Sequence, residues 1–185
     1  MSKYQLKWGI LATGGIAETF ARDLHPNPET RGVKDIEHVV VAAASSSSSK
    51  RAQDFLKEVR APESAKAYGS YKELVEDPNV DIIYVATPHS HHYQNAMLCL
   101  EAGKNVLCEK AFTTNAPQLE KLIKKAKEKN LFLMEAVCRI SLLQAGVSVA
   151  NIDCRSGPYT SLFPFTSATS SHLARLAQLP VPTPT

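Results

Sequence analysis

The sequence predicts a doubly wound α/β domain, in which helices cover both faces of a parallel sheet. Apolar runs typical of buried strands alternate with segments of helical spacing over residues 1–137. The first of these runs, Trp8–Ala12, stops at Gly14 and Gly15 and is followed by apolar residues at helical spacing. Strands that alternate with helices imply right-handed crossovers, and therefore a parallel sheet.

The remaining elements continue this alternation. Val39–Ala44 is uninterruptedly apolar, which is typical of a strand buried on both faces. Gly103 predicts a left-handed C-cap for the helix before it. In chain order, we predict a loop at Pro26–Glu37, a strand at Val39–Ala44, a helix around Ala52–Val59, a short strand near Ala65–Tyr68, a helix at Tyr71–Glu76, a strand at Asp81–Thr87, a helix at Tyr93–Ala102, a strand at Asn105–Glu109, a helix at Pro117–Lys129 and a strand at Leu131–Ala136.

The last part of the chain differs in composition. Residues 138–185 contain no lysine, and 17 of these 48 residues are Ser, Thr or Pro. No period of 2 or 3.6 persists there, so we predict a domain over 1–137 and an irregular, poorly ordered tail over 138–185. A small packed subdomain is the alternative.

Composition excludes several classes of protein. The chain has 185 residues, 44% apolar and 21% charged, which suits one globular domain and excludes collagen, coiled coil and disulfide scaffold. The net charge of +3 comes from scattered residues, so no nucleic-acid partner is expected, and no apolar run is long enough for a membrane span. The four cysteines lack ligand spacing and are expected to be free thiols in a cytoplasmic protein.

The glycine turn after the first strand is a candidate phosphate-binding site. It has the pattern Ala12-x-Gly14-x-x-Ala17, which places glycines where a backbone approaches a pyrophosphate at a helix N-terminus. Ala12 stands in place of the first glycine, and we expect it to keep a negative φ. An ordinary strand-to-helix turn is the alternative.

The end of the next strand favours NADP(H) over NAD(H). An acid in this region binds the ribose 2′-hydroxyl of NAD, yet no acid occurs between Val39 and Arg51. Instead Ser45–Ser49 is followed by Lys50 and Arg51, a row of hydroxyls and then two cations, which suits a 2′-phosphate. Low-complexity filler is the alternative for the serines.

Two longer stretches resemble a known family. Tyr84–His92, with the letters YVATPHSHH, and Ala102–Lys110, with the letters AGKNVLCEK, resemble the Gfo/Idh/MocA oxidoreductases, most closely the branch of dimeric dihydrodiol dehydrogenases and NADP-dependent D-xylose dehydrogenases. The resemblance runs from about Trp8 to Val137 and implies a Rossmann-like domain. The candidate cofactor residues are Ala12, Thr13, Gly14, Gly15 and Ile16 at the pyrophosphate, Ser45, Ser46, Ser47, Lys50 and Arg51 at the adenosine ribose phosphate, and Thr87, Pro88, His92, Glu109 and Lys110 at the crevice of the sheet.

The resemblance also implies a reaction. Glu109 and Lys110 match the family's Glu-Lys-Pro motif, which makes both of them candidate catalytic residues. The lysine of this motif reaches nicotinamide and substrate, although Ala111 replaces its proline. The expected activity is NADP-dependent oxidation of a CH–OH group of a sugar or trans-dihydrodiol, with Lys110 stabilising the negative charge that develops on oxygen. No metal is expected, because no acid or cysteine clusters with the histidines of residues 89–92.

The likeness ends after Val137, where the family continues with a second α/β domain that supplies the substrate pocket and the homodimer interface. We expect that domain to be missing here, through a premature end or a frame change in the coding sequence. The alternative function is therefore a catalytically silent fragment that binds NADP(H).

Overall fold

Six strands form one sheet in the computed structural model, which describes residues 3–25 and 35–136. The strands are β1 (Tyr4–Leu11), β2 (Ile36–Ala44), β3 (Lys66–Tyr68), β4 (Ile82–Val85), β5 (Asn105–Glu109) and β6 (Leu133–Ala136). The helices are α1 (Gly15–Asp23), α2 (Ser49–Glu58), α3 (Tyr71–Glu76), α4 (His92–Glu101) and α5 (Ala116–Glu128), and a 3₁₀ turn (His89–His91) precedes α4.

The strand order is β3-β2-β1-β4-β5-β6, and every neighbouring pair is parallel. This arrangement confirms the predicted doubly wound fold. The chain moves outward from β1 to β3 and then returns to place β4 on the other side of β1. Ligands of such sheets bind outside the carboxyl ends of the strands at this reversal, here between β1 and β4.

Both faces of the sheet are covered, as the apolar runs predict. Ile83 and Val85 of β4 pack with α3, α4 and α5 in one core cluster. Tyr84 lies between them in sequence and therefore faces the opposite side of the sheet, where it stacks on Phe20 of α1. Since both sides are packed, all four residues of β4 are buried.

Two strands are longer than the apolar runs indicate. β1 begins at Tyr4 rather than Trp8, and β2 begins at Ile36, inside the predicted loop Pro26–Glu37. The backbone ladder between the two strands continues from Trp8 down to the pair of Tyr4 with Ile36, so hydrogen bonding extends both strands beyond the apolar runs. Most of the predicted loop lies outside the described residues.

Gly103 follows α4 with a φ of +79°, which confirms the predicted left-handed cap. The described residues belong to one compact unit that ends at Ala136, next to the predicted boundary. The predicted tail, residues 138–185, lies outside the described residues.

Asp77 is a buried carboxylate at the end of α3. It accepts hydrogen bonds from the Tyr68 hydroxyl at 2.8 Å and the Asn79 N–H at 2.9 Å, and the Lys66 ammonium lies 3.5 Å away. Burial opposes its ionisation, but these partners outweigh burial and hold the pKa of Asp77 below its usual value. Burial and the hydrogen bond to Asp77 raise the pKa of Tyr68 to about 12.

We expect Asp77→Ala to lower the free energy of unfolding by about 1–3 kcal/mol at neutral pH. Folding lowers the pKa of Asp77 from its reference value of 3.8 for the unfolded chain. The ionised carboxylate therefore stabilises the fold at pH values above 3.8, and this stabilisation is lost as the pH falls through the lower pKa of the folded protein. Urea unfolding over a pH series measures the difference from wild type, with the exposed Asp54→Ala as control. A difference that stays constant down to the lowest pH would contradict the role of ionised Asp77.

Candidate functional site

The glycine turn connects β1 to α1. The Ala12 N–H continues the ladder by donating to the Ala44 carbonyl at 3.1 Å, and Gly14 is the extended N-cap of α1, with φ −84°. Ala12 has a φ of +86°, so the expected negative φ is wrong. The chain must leave the β1 ladder at Ala12 and turn into α1 by Gly15. This sharp turn requires a positive φ at Ala12, a conformation that glycine adopts most easily.

The space around this turn is open. A Cβ atom added to Gly14 or Gly15 would meet no described atom within 4 Å, so packing within the domain does not require these glycines. No side chain caps the first N–H groups of α1, and Ile16 is half exposed in its first turn. Free N–H groups and the positive end of the helix dipole suit an anion that approaches the backbone closely.

The serine row lies at the end of β2. Ser45 is buried, and its N–H donates to the Tyr68 carbonyl at 3.2 Å. Ser46 and Ser47 are exposed, and Ser47 Oγ lies 3.4 Å from Ser45 Oγ. The hydroxyls of Ser46 and Ser47 are therefore presented to solvent just before α2 begins.

The first turn of α2 carries two cations. Lys50 and Arg51 are exposed, and the turn contains no acid. Neither forms an ion pair with a described residue. The positive N-terminal end of a helix dipole repels these cations, whereas an anion bound there is attracted both to the cations and to the helix end. This turn fits a phosphate group.

Thr87 and His92 lie beyond the end of β4. The Thr87 hydroxyl accepts from Asn95 Nδ2 at 3.2 Å. His92 is 1% exposed, with Nε2 2.7 Å from the Thr87 carbonyl and Nδ1 2.7 Å from the Ala111 carbonyl. Its ring therefore links the loop after β4 to the loop after β5, whereas Pro88 before it is exposed.

The loop after β5 carries Lys110. The Glu109 carboxylate accepts the Tyr84 hydroxyl at 2.5 Å on Oε1 and the Lys110 N–H at 3.1 Å on Oε2. Glu135 of β6 accepts the Phe112 N–H at 2.8 Å, and the peptide bond after Lys110 is cis. The Lys110 side chain is exposed, and its ammonium forms no ion pair with a described residue.

These groups share one edge of the sheet, since β2, β1, β4 and β5 are adjacent and parallel. The sheet thus places the serine row, the glycine turn, Thr87 and Lys110 side by side. The contacts of Tyr84 and Glu135 with this site were not predicted from the sequence. A tyrosine inside an otherwise aliphatic buried strand is the one signal that pointed to Tyr84.

Residues 3–25 and 35–136 contain neither a candidate metal site nor a candidate membrane span. No group of three or more His, Cys, Asp or Glu side chains is placed to hold a metal ion in this part of the chain. None of its helices has both the length and the apolar character of a membrane span.

Comparison with known proteins gives consistent matches. A family model described as an oxidoreductase family with an NAD-binding Rossmann fold, GFO_IDH_MocA, matches residues 6–137. D-xylose 1-dehydrogenase (NADP(+)) of Hypocrea jecorina is 69% identical over 134 residues, which cover 72% of this chain and 34% of that enzyme. Trans-1,2-dihydrobenzene-1,2-diol dehydrogenase of mouse is 43% identical over 132 residues, which cover 71% of this chain and 37% of that enzyme.

Solved structures match the same part of the chain. An NAD binding oxidoreductase from Klebsiella pneumoniae superposes with a TM-score of 0.65 at 27% identity, covering 72% of this chain and 34% of that one. A 3-ketoreductase from Actinomadura kijaniata, solved in complex with NADP, superposes with a TM-score of 0.61 at 32% identity, covering 71% of this chain and 38% of that one. The chain spans about a third of the length of the curated relatives described above.

Proposed function

Because this chain belongs to the Gfo/Idh/MocA oxidoreductase family, with its NAD-binding Rossmann fold, we propose that it binds NADP(H) at the carboxyl edge of the sheet and transfers hydride between the cofactor and a CH–OH group of a sugar or trans-dihydrodiol. The relatives named for D-xylose and dihydrobenzenediol oxidation support this substrate class. The relative named for NADP(+) and the neighbour solved with NADP support the cofactor.

The observation that carries the proposal is a pair of helix N-termini at one sheet edge. The start of α1 is uncapped by side chains and open around Gly14 and Gly15, which fits a pyrophosphate. The start of α2 adds two exposed cations and no acid, which fits the additional phosphate of NADP(H). A carboxylate that would bind the ribose of NAD(H) is absent from residues 39–51.

Among the residues of this chain, Lys110 is the one that we expect to act on the substrate. Bound NADP⁺ supplies a nicotinamide ring that accepts hydride. The exposed Lys110 ammonium beside the substrate hydroxyl would stabilise negative charge on that oxygen as its proton leaves. Glu109 and Glu135, which bind backbone N–H groups of residues 110 and 112, hold the loop that presents the lysine.

Buried Cys99 and Cys108 are free thiols, which are typical of proteins in a reducing compartment and support a cytoplasmic location.

Fluorescence titration of the full chain with NADPH and with NADH tests the cofactor, and assays with D-xylose and a trans-dihydrodiol test the reaction. We expect tighter binding of NADPH, and oxidation of at least one substrate. Equal or tighter binding of NADH, or no binding of either, would refute the cofactor assignment. Binding of NADPH without turnover would leave cofactor binding alone as the function of this chain.

Gly14→Val separates nucleotide binding from folding. The added Cβ atom enters space that is open among the described residues, so we expect the free energy of unfolding to change by no more than about 1 kcal/mol. The same side chain would obstruct a pyrophosphate, and we expect NADPH affinity to fall by about 5- to 150-fold. Titration and urea unfolding measure the two effects.

Gly103→Ala is the matched control. Its φ of +79° disfavours a side chain, so it should lose about 1–2 kcal/mol of stability. It lies before β5, at the opposite edge of the sheet, and should keep NADPH affinity. A Gly14→Val protein that binds NADPH like wild type would place the pyrophosphate elsewhere.

A further inference from the structure

Tyr84 is fixed in the middle of the domain. It is 1% exposed, and its ring stacks on Phe20 of α1 with centroids 3.8 Å apart and planes 18° apart. Phe20 in turn contacts Trp8 of β1 edge to face at 5.2 Å. The ring therefore cannot turn without disturbing the packing of α1 on the sheet.

The Tyr84 hydroxyl fixes the Glu109 side chain. Its 2.5 Å distance to Glu109 Oε1 is in the range of charge-assisted hydrogen bonds, which are about twice as strong as neutral ones. The other oxygen, Oε2, accepts the backbone N–H of Lys110. Both oxygens of the carboxylate are thus engaged, and neither partner is the lysine ammonium.

Lys110 directly follows this carboxylate in the chain, yet its ammonium forms no ion pair with a described residue. We propose that Tyr84 is a positioning residue that holds the Glu109 carboxylate away from the Lys110 ammonium, so that the ammonium stays available to a substrate oxygen. This inference rests on the proposed function for the role of Lys110. Without the hydroxyl, Glu109 Oε1 loses its donor and the carboxylate is free to pair with the neighbouring ammonium.

Competitive labelling of lysines measures this effect on the full chain without nucleotide. Trace acetic anhydride attacks neutral amines, and a carboxylate that stabilises the ammonium form slows the attack. Mass spectrometry gives the labelling of Lys110 relative to Lys57, an exposed lysine of α2. In Tyr84→Phe, which keeps the ring, we expect labelling of Lys110 to fall about two- to fivefold, the range expected for gaining an exposed ion pair.

A second background distinguishes positioning from a packing defect. In Glu109→Gln the side chain has no charge to pair with the ammonium, so adding Tyr84→Phe should leave Lys110 labelling unchanged. Unchanged labelling in the single Tyr84→Phe variant, or an equal fall in the Gln background, would overturn the proposal.

Glu109→Asp keeps the test decisive if circular dichroism shows that Tyr84→Phe does not fold. The shorter side chain retains the charge and leaves the Tyr84 ring in place, but it cannot reach the hydroxyl. We again expect Lys110 labelling to fall about two- to fivefold, the range expected for gaining an exposed ion pair. Unchanged labelling would overturn the proposal. NADPH titration of the wild type is a separate readout, so failure of cofactor binding refutes the proposed function without altering the labelling result.

Discussion

Replacing Lys110 by alanine is expected to lower turnover about 100- to 1000-fold, the loss typical of removing one group that stabilises charge in a transition state. The Lys110 side chain is exposed and forms no ion pair with a described residue, so its loss should not disturb the fold. NADPH affinity should stay within about fivefold of wild type, because Lys110 is proposed to act on the substrate hydroxyl and not on a phosphate of the cofactor. Steady-state kinetics with D-xylose and NADPH titration measure the two effects.

Lys57→Ala provides the matched control for Lys110→Ala. Lys57 is an exposed lysine in the last turn of α2, away from the carboxyl edge of the sheet. Its removal changes the net charge equally and should leave turnover unchanged. A Lys110→Ala protein with undiminished turnover would exclude Lys110 from the reaction.

Replacing Lys50 and Arg51 together by alanine should weaken NADPH binding about 100-fold or more. Each charged hydrogen bond to a phosphate contributes about 1.5–3 kcal/mol, and two such losses correspond to at least that factor. NADH lacks the 2′-phosphate, so its affinity should change by less than about fivefold. The preference for NADPH over NADH should therefore be largely lost. Parallel fluorescence titrations with the two nucleotides measure it.

This double variant is expected to fold normally. Removing cations from the first turn of α2 relieves their repulsion by the helix dipole, so thermal unfolding should occur at the wild-type temperature or above it. Lys57→Ala combined with Lys121→Ala removes the same charge from exposed positions on α2 and α5 and should keep the selectivity. Equal loss of NADPH and NADH affinity in the Lys50 and Arg51 variant would argue against a 2′-phosphate at this turn.

Much of the fold follows from local patterns. Val39–Ala44 lies within β2, Gly103 takes the left-handed conformation, and the strands and helices alternate as predicted. The error at Ala12 has a physical cause. Residue preference alone favours a negative φ for alanine, whereas the ladder to β2 and the start of α1 impose the positive value.

The candidate site, like the fold, was predicted only in part from the sequence. Motifs identified the positions of the glycine turn, Lys50, Arg51 and Lys110, and their roles stay predictions for the experiments above. The contacts of Tyr84 with Glu109 and of Glu135 with the Phe112 N–H were not predictable from spacing. They join residues 25 and 23 positions apart in sequence, and such pairs meet only because parallel strands become neighbours.

By itself, the sequence determined the periodicity of the elements, the glycines at the turns and the charges available at the strand ends, because these depend on residues adjacent in the chain. Tertiary structure alone decided which polar groups meet. The His92 ring lies between two loop carbonyls and the Glu109 carboxylate binds the Tyr84 hydroxyl, because β1, β4 and β5 pack side by side and a buried polar group must find its partner within that packing.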